Sequence, residues 1–179
     1  DDYMLEGPIA ALEAIEKATG EPSVDIVGYC IGGTLLACTL AYIAAKGAKT
    51  LAARVKTATF LASMVEFNDP GELGVFIDEQ QLANLDESMG KRGYLEGNEM
   101  AAAFNMLRSN DLIWSFVVNN YLLGREPPPF DILYWNADST RMPAMMHKFY
   151  LRKMYLENKL IEPGALALDG VPLDLGRIG

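Results

Sequence analysis

The sequence predicts an α/β fold in which a small parallel sheet is followed by a mainly helical insertion. Helix-type and strand-type patterns alternate over the first 63 residues, and the two predicted strands are short and rich in β-branched residues. After residue 63 the strand pattern gives way to helices and loops. Because strands separated by a helix usually pair in parallel through a right-handed crossover, we expect the first part to form one edge of an α/β core.

The first 63 residues contain two predicted helix–strand pairs. Apolar residues at helical spacing predict a helix over residues 4–18 that ends at Gly20. A strand follows at about residues 23–28, and then an apolar helix that ends at Gly47. The second strand is predicted over residues 54–63.

The insertion is predicted to be mostly helical. Its predicted helices cover residues 75–89, 98–107, 110–123 and 143–160. Ser109 or Asn110 is expected to cap the third helix, and Pro143 suits the first turn of the last one.

Three segments follow from these elements. Residues 1–63 are predicted to form a partial α/β core, residues 64–165 a mainly helical cap, and residues 166–179 a return towards the core. Since two strands are too few for a stable doubly wound sheet, the sequence is interpreted as a piece of a larger protein.

The composition and charge exclude some classes of function. The 179 residues are 50% hydrophobic and 22% charged, with a formal net charge of -9. An acidic protein of this kind is not expected to bind nucleic acid, although a local basic pocket remains open for an anionic small substrate. The stretch 26–45 is uncharged and about as long as a membrane span, but its early glycines favour a buried strand and helix over a transmembrane segment.

The two cysteines are predicted to be free thiols. Cys30 and Cys38 are eight residues apart, which corresponds to roughly 12 Å along a helix. A disulfide requires Cα atoms closer than about 7 Å. Free thiols favour a reducing, cytoplasmic compartment. Cys38 lies among leucines in the middle of the predicted helix and is expected to fill the core.

Cys30 lies in the motif Gly28-Tyr29-Cys30-Ile31-Gly32, at the join between the first strand and its helix. The motif matches the G-x-S-x-G nucleophile elbow with cysteine in place of serine. A sharp strand-to-helix turn strains the backbone of the middle residue and exposes its side chain. Gly28 and Gly32, together with Gly33, are expected to permit this geometry.

The elbow motif assigns a chemical role to two residues. Cys30 is the predicted nucleophile, and the helix N-terminus favours the thiolate that attacks. The backbone N–H of Ile31 is expected to donate to an oxyanion. A thiol that attacks a thioester yields another thioester, so the acyl group stays activated for a second transfer. The alternative is a buried cysteine in a glycine-rich turn that serves only helix–strand packing.

Several stretches resemble the polyhydroxyalkanoate synthases. "GYCIGGT" is similar to the lipase-box variant of that family, in the form of its class I members. "NDLIWSFVVNNYLLGREPPPFDILYWNADSTRMP", "YLRKMYLENKL" and "GVPLDLGRI" resemble successive stretches of the same catalytic domain.

The resemblance implies an α/β-hydrolase core with a Cys-Asp-His triad under a mobile cap. It implies polymerisation of (R)-3-hydroxyacyl-CoA with release of CoA, while the polyester chain grows on the cysteine. It also implies a homodimer at the surface of cytoplasmic polyester granules, with no cofactor beyond the CoA thioester substrate and no metal.

The resemblance places the triad Asp and His beyond "GVPLDLGRI", and so outside this chain. His147, the only histidine, lies in a predicted cap helix and is not expected to be the base. Asp25, Asp138 and Asp174 are likewise not expected to be the triad aspartate, and Asp25 is expected to be a solvated charge. Trp135 and Asp138 are expected to serve packing or a cap hinge.

Three hypotheses about function remain open. The leading one is an acyltransferase that makes polyester through an acyl-cysteine, with the 179-residue segment itself inactive. The second is a cysteine-nucleophile α/β hydrolase of the esterase or dienelactone-hydrolase type. The third is a non-catalytic segment that contributes only dimer or granule-surface contacts.

Overall fold

The computed structural model describes residues 1–127, 131, 134, 138 and 140–179, and in it the chain forms two units. Unit 1 contains Asp1–Asp69 and Lys153–Gly179, and unit 2 contains Pro70–Arg152. Unit 1 is therefore built from both ends of the chain, with unit 2 inserted between them. The division into segments 1–63, 64–165 and 166–179 stays a prediction.

The described residues form α-helices, short 3-10 and π-helical segments, and strands. The α-helices are α1 (Asp2–Met4), α2 (Ala10–Thr19), α3 (Ile31–Lys46), α4 (Lys49–Ala52), α5 (Glu79–Gly90), α6 (Gly97–Leu107) and α7 (Ala144–Phe149). The strands are β1 (Val24–Tyr29), β2 (Val55–Leu61), β3 (Tyr94–Leu95), β4 (Met142–Pro143), β5 (Ala167–Leu168) and β6 (Val171–Pro172). The 3-10 segments are Gly71–Phe76, Lys159–Ile161 and Leu175–Arg177, and the π-helical segments are Leu5–Ile9, Asn110–Trp114, Val117–Leu122 and Tyr150–Leu156.

The sheet of unit 1 consists of β1 and β2, which pair in parallel as the sequence predicts. Asp25 lies opposite Thr57 and Gly28 lies opposite Phe60, so the carboxyl ends of the two strands meet at one edge. Helix α3 connects them and packs against β1. The mixture of helices with a small parallel sheet confirms the α/β class.

Helix α3 forms the centre of the core of unit 1. Its buried residues run along most of its length, and Ala41 and Tyr42 are among the least exposed. A helix that is buried on most sides has little amphipathic pattern, which explains its nearly continuous apolar sequence. It ends at Gly47 with a φ of 61°, and α2 ends at Gly20 with a φ of 78°, so both predicted glycine stops are confirmed.

The first predicted helix is irregular. It is helical over Asp2–Met4 and Ala10–Thr19, with the π-helical segment Leu5–Ile9 between them. Pro8 lies inside that segment, where it cannot donate a backbone hydrogen bond. The proline therefore accounts for the departure from the regular helix predicted over residues 4–18.

The first helix of unit 2 begins later than predicted. The carboxylate of Asp78 accepts a hydrogen bond from the N–H of Gln81, which caps α5 at its N-terminus. The helix predicted over residues 75–89 therefore starts at Glu79, and the preceding Gly71–Phe76 is a 3-10 segment.

Two predicted helix starts in unit 2 are also corrected. Ser109 is itself helical and makes no side-chain cap hydrogen bond, so it does not begin a helix as a cap. Pro143 lies just before α7, with a ψ of 136°, rather than in its first turn. Trp135 lies outside the described residues. Across the described part of the chain, none of the helices is both long enough and apolar enough to cross a membrane.

Candidate active site

Cys30 occupies the sharp turn between β1 and α3. It is the N-cap residue of α3, with φ 53° and ψ -126°, and its side chain is exposed. A positive φ is uncommon for a residue with a side chain and costs of order 1–3 kcal/mol. The strained conformation that the motif predicts is therefore present at this residue. We refer to residues 28–33 as the elbow.

Two glycines of the elbow are required by close packing. A Cβ on Gly28 would lie 2.6 Å from the Cα of Gly33. A Cβ on Gly33 would lie 1.7 Å from the Oγ of Ser63. A Cβ on Gly32 would meet no atom of the described structure within 4 Å. The elbow role of Gly32 therefore gains no support from packing and stays a prediction, whereas Gly33 holds a tight contact.

Ile31 is the first residue of α3. The carbonyl of Cys30 accepts hydrogen bonds from the N–H of Gly33 at 3.0 Å and of Thr34 at 3.4 Å. The N–H of Ile31 has no acceptor within the helix, because the first N–H groups of a helix lack a preceding carbonyl. This donor adjoins the exposed thiol, and none of the described residues accepts a hydrogen bond from it. Its use by an anionic oxygen stays a prediction.

The segment after β2 packs against the elbow. We call residues 61–64 the brace. Its Leu61 carbonyl accepts a hydrogen bond from the N–H of Cys30 at 3.0 Å. The hydroxyl of Thr34 donates to the carbonyl of Met64 at 2.6 Å, and the hydroxyl of Ser63 lies 3.2 Å from the carbonyl oxygen of Gly28. The brace also contains Ala62, whose φ of 49° marks a tight turn.

Sequence reasoning missed the brace. Ser63 and Thr34 lie far apart in sequence from the groups they contact, and neither belongs to a recognisable motif. The sequence contains one indication of the brace, which is Gly33. The elbow motif does not require a glycine at this position, and an additional glycine indicates that another group packs closely against the backbone.

Cys38 differs from Cys30 in its surroundings. It is 3% exposed within α3, as predicted for a residue that fills the core. Burial raises the pKa of its thiol to about 11, because the charged thiolate is poorly solvated there. Cys38 is thus a packed thiol, whereas Cys30 is accessible.

Two of the three aspartates considered in the sequence analysis accept hydrogen bonds from nearby residues of the fold. Asp25 is exposed on β1, where its carboxylate accepts a hydrogen bond from the hydroxyl of Thr57 at 2.6 Å. Asp174 caps the 3-10 segment Leu175–Arg177 by accepting a hydrogen bond from the N–H of Gly176. Asp138 is exposed in a bend.

His147 is buried in α7, in unit 2, and is 6% exposed. Its Nδ1 has no hydrogen-bond partner within the described structure. Burial lowers the pKa of the imidazole, so the neutral form is favoured. Among the residues that the structure describes, no three His, Cys, Asp or Glu side chains are grouped so that they could hold a metal ion.

The site is built from β1, the strained Cys30 and the N-terminus of α3. This arrangement defines an α/β protein with a cysteine at the strand-to-helix turn. The chain is 55% identical over 178 residues to a poly(3-hydroxyalkanoate) polymerase of Methylorubrum extorquens. The aligned region covers 99% of this chain and 29% of that protein. It is 52% identical to a poly(3-hydroxyalkanoate) polymerase subunit of Rhizobium meliloti, over 98% of this chain and 28% of that protein. For the corresponding subunit of Cupriavidus necator the identity is 39%, over 99% of this chain and 30% of that protein.

These 179 residues are homologous to a segment of the poly(3-hydroxyalkanoate) polymerases. No family model matches the chain. The chain spans less than a third of the length of the three relatives.

Proposed function

We propose that the chain contributes the nucleophile and part of the cap to an acyltransferase that polymerises (R)-3-hydroxyacyl-CoA into polyhydroxyalkanoate. The observation that carries this proposal is the exposed, strained Cys30 at the end of β1, within a sequence homologous to the polymerases. The core is proposed to be of the α/β-hydrolase type. The parallel pairing of β1 and β2 around α3 supports this.

In the first step, the Cys30 thiolate attacks the thioester carbonyl of the substrate. A carbon–sulfur bond forms to Cys30, the bond to the CoA sulfur breaks, and CoA leaves as its thiol after taking up a proton. The N–H of Ile31 donates to the oxygen that becomes negative in the tetrahedral intermediate.

In the second step, a 3-hydroxyl group attacks the acyl-cysteine. An ester bond forms, the Cys30 thiolate leaves, and the hydroxyl proton passes to a base. Because the acyl group on Cys30 is still a thioester, it remains reactive towards the hydroxyl. No redox cofactor and no metal are needed for either step.

We propose that an Asp-His pair elsewhere in the full-length protein activates Cys30. Asp174 is engaged as a cap and Asp25 is hydrogen-bonded on the strand, and both surroundings support this assignment. His147 is buried with its Nδ1 unpartnered, which suits packing better than proton transfer. The 179-residue segment alone is accordingly proposed to be inactive.

We further propose that the protein acts as a homodimer at the surface of cytoplasmic polyester granules. Unit 2 carries an exposed apolar segment that supports contact with an apolar surface. The exposed side chains of this segment are Leu112, Ile113, Trp114, Phe116, Val118, Tyr121, Leu122 and Leu123.

The test compares Cys30→Ala with Cys38→Ala in the full-length protein, using 3-hydroxybutyryl-CoA. Cys30→Ala should abolish both CoA release and polymer, whereas Cys38→Ala removes a packed thiol and should retain polymerisation. Polymer formation by Cys30→Ala would overturn the proposal. Accumulation of free 3-hydroxybutyrate instead of polymer by the wild-type protein would favour the cysteine hydrolase.

A further inference from the structure

We infer that Thr34 and Ser63 are positioning residues for Cys30, because they fix the brace to both sides of the elbow. This inference rests on the proposed role of Cys30 as the nucleophile. Hydrogen bonds join the two segments at the end of the strand, at the strained cysteine and in the first turn of the helix.

The strain at Cys30 requires such support. Its φ of 53° is unfavourable for a residue with a side chain, and a strained conformation persists only when the surrounding structure holds it. The N–H of Cys30 is held by the carbonyl of Leu61, which is the last residue of β2 and the first of the brace. Movement of the brace would therefore release Cys30 towards an ordinary backbone conformation.

Thr34 ties the brace to the first turn of α3. Its side chain is 2% exposed, and its hydroxyl donates to the carbonyl of Met64 at 2.6 Å. Thr39 offers a matched comparison on the same helix. It is 1% exposed, but its hydroxyl donates to the carbonyl of Leu35 in its own helix, at 2.8 Å. Of these two hydroxyls, the one of Thr34 connects α3 to the brace and the one of Thr39 does not.

Ser63 ties the brace to the strand side of the elbow. Its hydroxyl lies 3.2 Å from the carbonyl oxygen of Gly28 and 3.1 Å from that of Leu61, so its single proton is shared between two acceptors. Gly28 precedes Cys30 by two residues. Ser63 also fills the space that the missing side chain of Gly33 leaves. The two hydroxyls thus hold the brace from opposite sides of the cysteine.

The experiment uses Thr34→Val and Ser63→Ala in the full-length protein, with Thr39→Val and Ser23→Ala as controls. Ser23 precedes β1, and no hydrogen bond of its side chain is present in the described structure. Three quantities are measured: kcat and KM for CoA release from 3-hydroxybutyryl-CoA, the rate of Cys30 alkylation by iodoacetamide, and the thermal unfolding midpoint.

We expect Thr34→Val and Ser63→Ala to lower kcat about 10-fold with little change in KM, because a small displacement of a nucleophile is costly to the rate. The alkylation rate of Cys30 should change about 3-fold, because the orientation and access of its thiol depend on the elbow conformation. Thr34→Ser keeps the hydroxyl and should therefore retain the wild-type kcat and the wild-type alkylation rate of Cys30. Thr39→Val should lower the unfolding midpoint about as much as Thr34→Val does while leaving kcat unchanged.

If Thr34→Val and Thr39→Val had the same kcat and the same alkylation rate, the positioning role would be wrong. That result would leave the proposed function intact as long as Cys30→Ala remained inactive. An active Cys30→Ala protein would instead remove the proposed function itself, and with it this inference.

Discussion

The Cα of Gly33 lies so close to Ser63 that a Cβ on the glycine would be 1.7 Å from the serine Oγ and 2.4 Å from its Cβ. Rotation of the serine could move the Oγ away, but not the Cβ. The contact therefore fixes the distance between the brace and the start of α3.

Gly33→Ala is expected to destabilise the protein by about 1–3 kcal/mol, the range typical of overpacked sites. Gly32→Ala is the matched control, because a Cβ there meets no described atom within 4 Å. It should change the free energy of unfolding by less than about 0.5 kcal/mol. Denaturant unfolding of both variants checks this, and equal effects would contradict the contact with Ser63.

The two cysteines are expected to differ in reactivity by at least about 100-fold, because a buried thiol reacts only after local opening. Cys30 is exposed and should be alkylated by iodoacetamide in the native protein, whereas Cys38 is 3% exposed and should react only slowly. Peptide mass spectrometry after timed alkylation distinguishes the two. Similar rates under native conditions would mean that α3 is not packed as the structure shows.

Cys38 should also make stability depend on pH in the alkaline range. Burial raises the pKa of its thiol to about 11 in the folded state, above the unfolded value of about 8.5. The stabilisation is therefore complete below about pH 8.5 and is lost as the pH rises towards 11. Cys38→Ala should have a flatter unfolding profile than wild type over this range. A parallel decline of the two proteins would exclude Cys38 as the cause.

His147 should make α7 less stable in mild acid. Burial lowers its pKa below the unfolded value of about 6.5, so the unfolded state binds the proton more readily. The stabilisation is present above about pH 6.5 and is lost as the pH falls through the folded pKa. Lys148, the residue after His147, forms an ion pair with Asp86 of α5, with 2.6 Å between Nζ and Oδ2.

His147→Leu removes the titrating group and the unpartnered Nδ1 while it keeps the apolar volume. Hydrogen exchange of the α7 amides should then change less between pH 7 and pH 5 than in the wild type. Lys148→Gln serves as the control for the neighbouring ion pair and should retain the wild-type acid response. Loss of that response in Lys148→Gln but not in His147→Leu would assign the effect to the pair.

Asn158 joins the two segments of unit 1 that flank unit 2. Its Oδ1 accepts a hydrogen bond from the N–H of Phe67 and its Nδ2 donates to Glu66, each at 2.9 Å. Its φ of 47° is left-handed. Asn158→Ala should destabilise the protein by about 2 kcal/mol, since it loses the hydrogen bonds and strains the backbone.

Asn158→Gly separates the two contributions, because glycine adopts a positive φ without strain. It should recover about 1 kcal/mol of the loss caused by alanine. Thermal or denaturant unfolding provides the measurement. If glycine were as destabilising as alanine, the side-chain hydrogen bonds alone would account for the effect.

The local features of the fold are predictable from the sequence. The apolar run of α3, the β-branched strands and the stops at Gly20 and Gly47 each depend on neighbouring residues, and these predictions are confirmed. The start of α5 is predicted wrongly although Asp78 and Gln81 have the spacing of a capping box, a local signal that the interpretation of residues 75–89 overlooked.

The candidate site is predictable only in part. The strained conformation at Cys30 follows from the motif, because a nucleophile elbow requires it. The brace does not follow from it, since Ser63 and Thr34 act through contacts about 30 positions away in sequence. The crowding at Gly33 has the same origin, because it depends on which residue packs against that glycine, and this residue is Ser63.

The hydrogen bond between Phe67 and Asn158 has an evolutionary consequence. The chain leaves unit 1 and re-enters it at a single place, so the ends of the intervening segment are already held together. Doubling the length of a loop with fixed ends costs only about 0.6 kcal/mol. Related proteins can therefore lengthen, shorten or exchange the intervening segment while the strand, cysteine and helix of unit 1 stay unchanged. The junction thus permits variation in the intervening segment without rearrangement of the turn that carries Cys30.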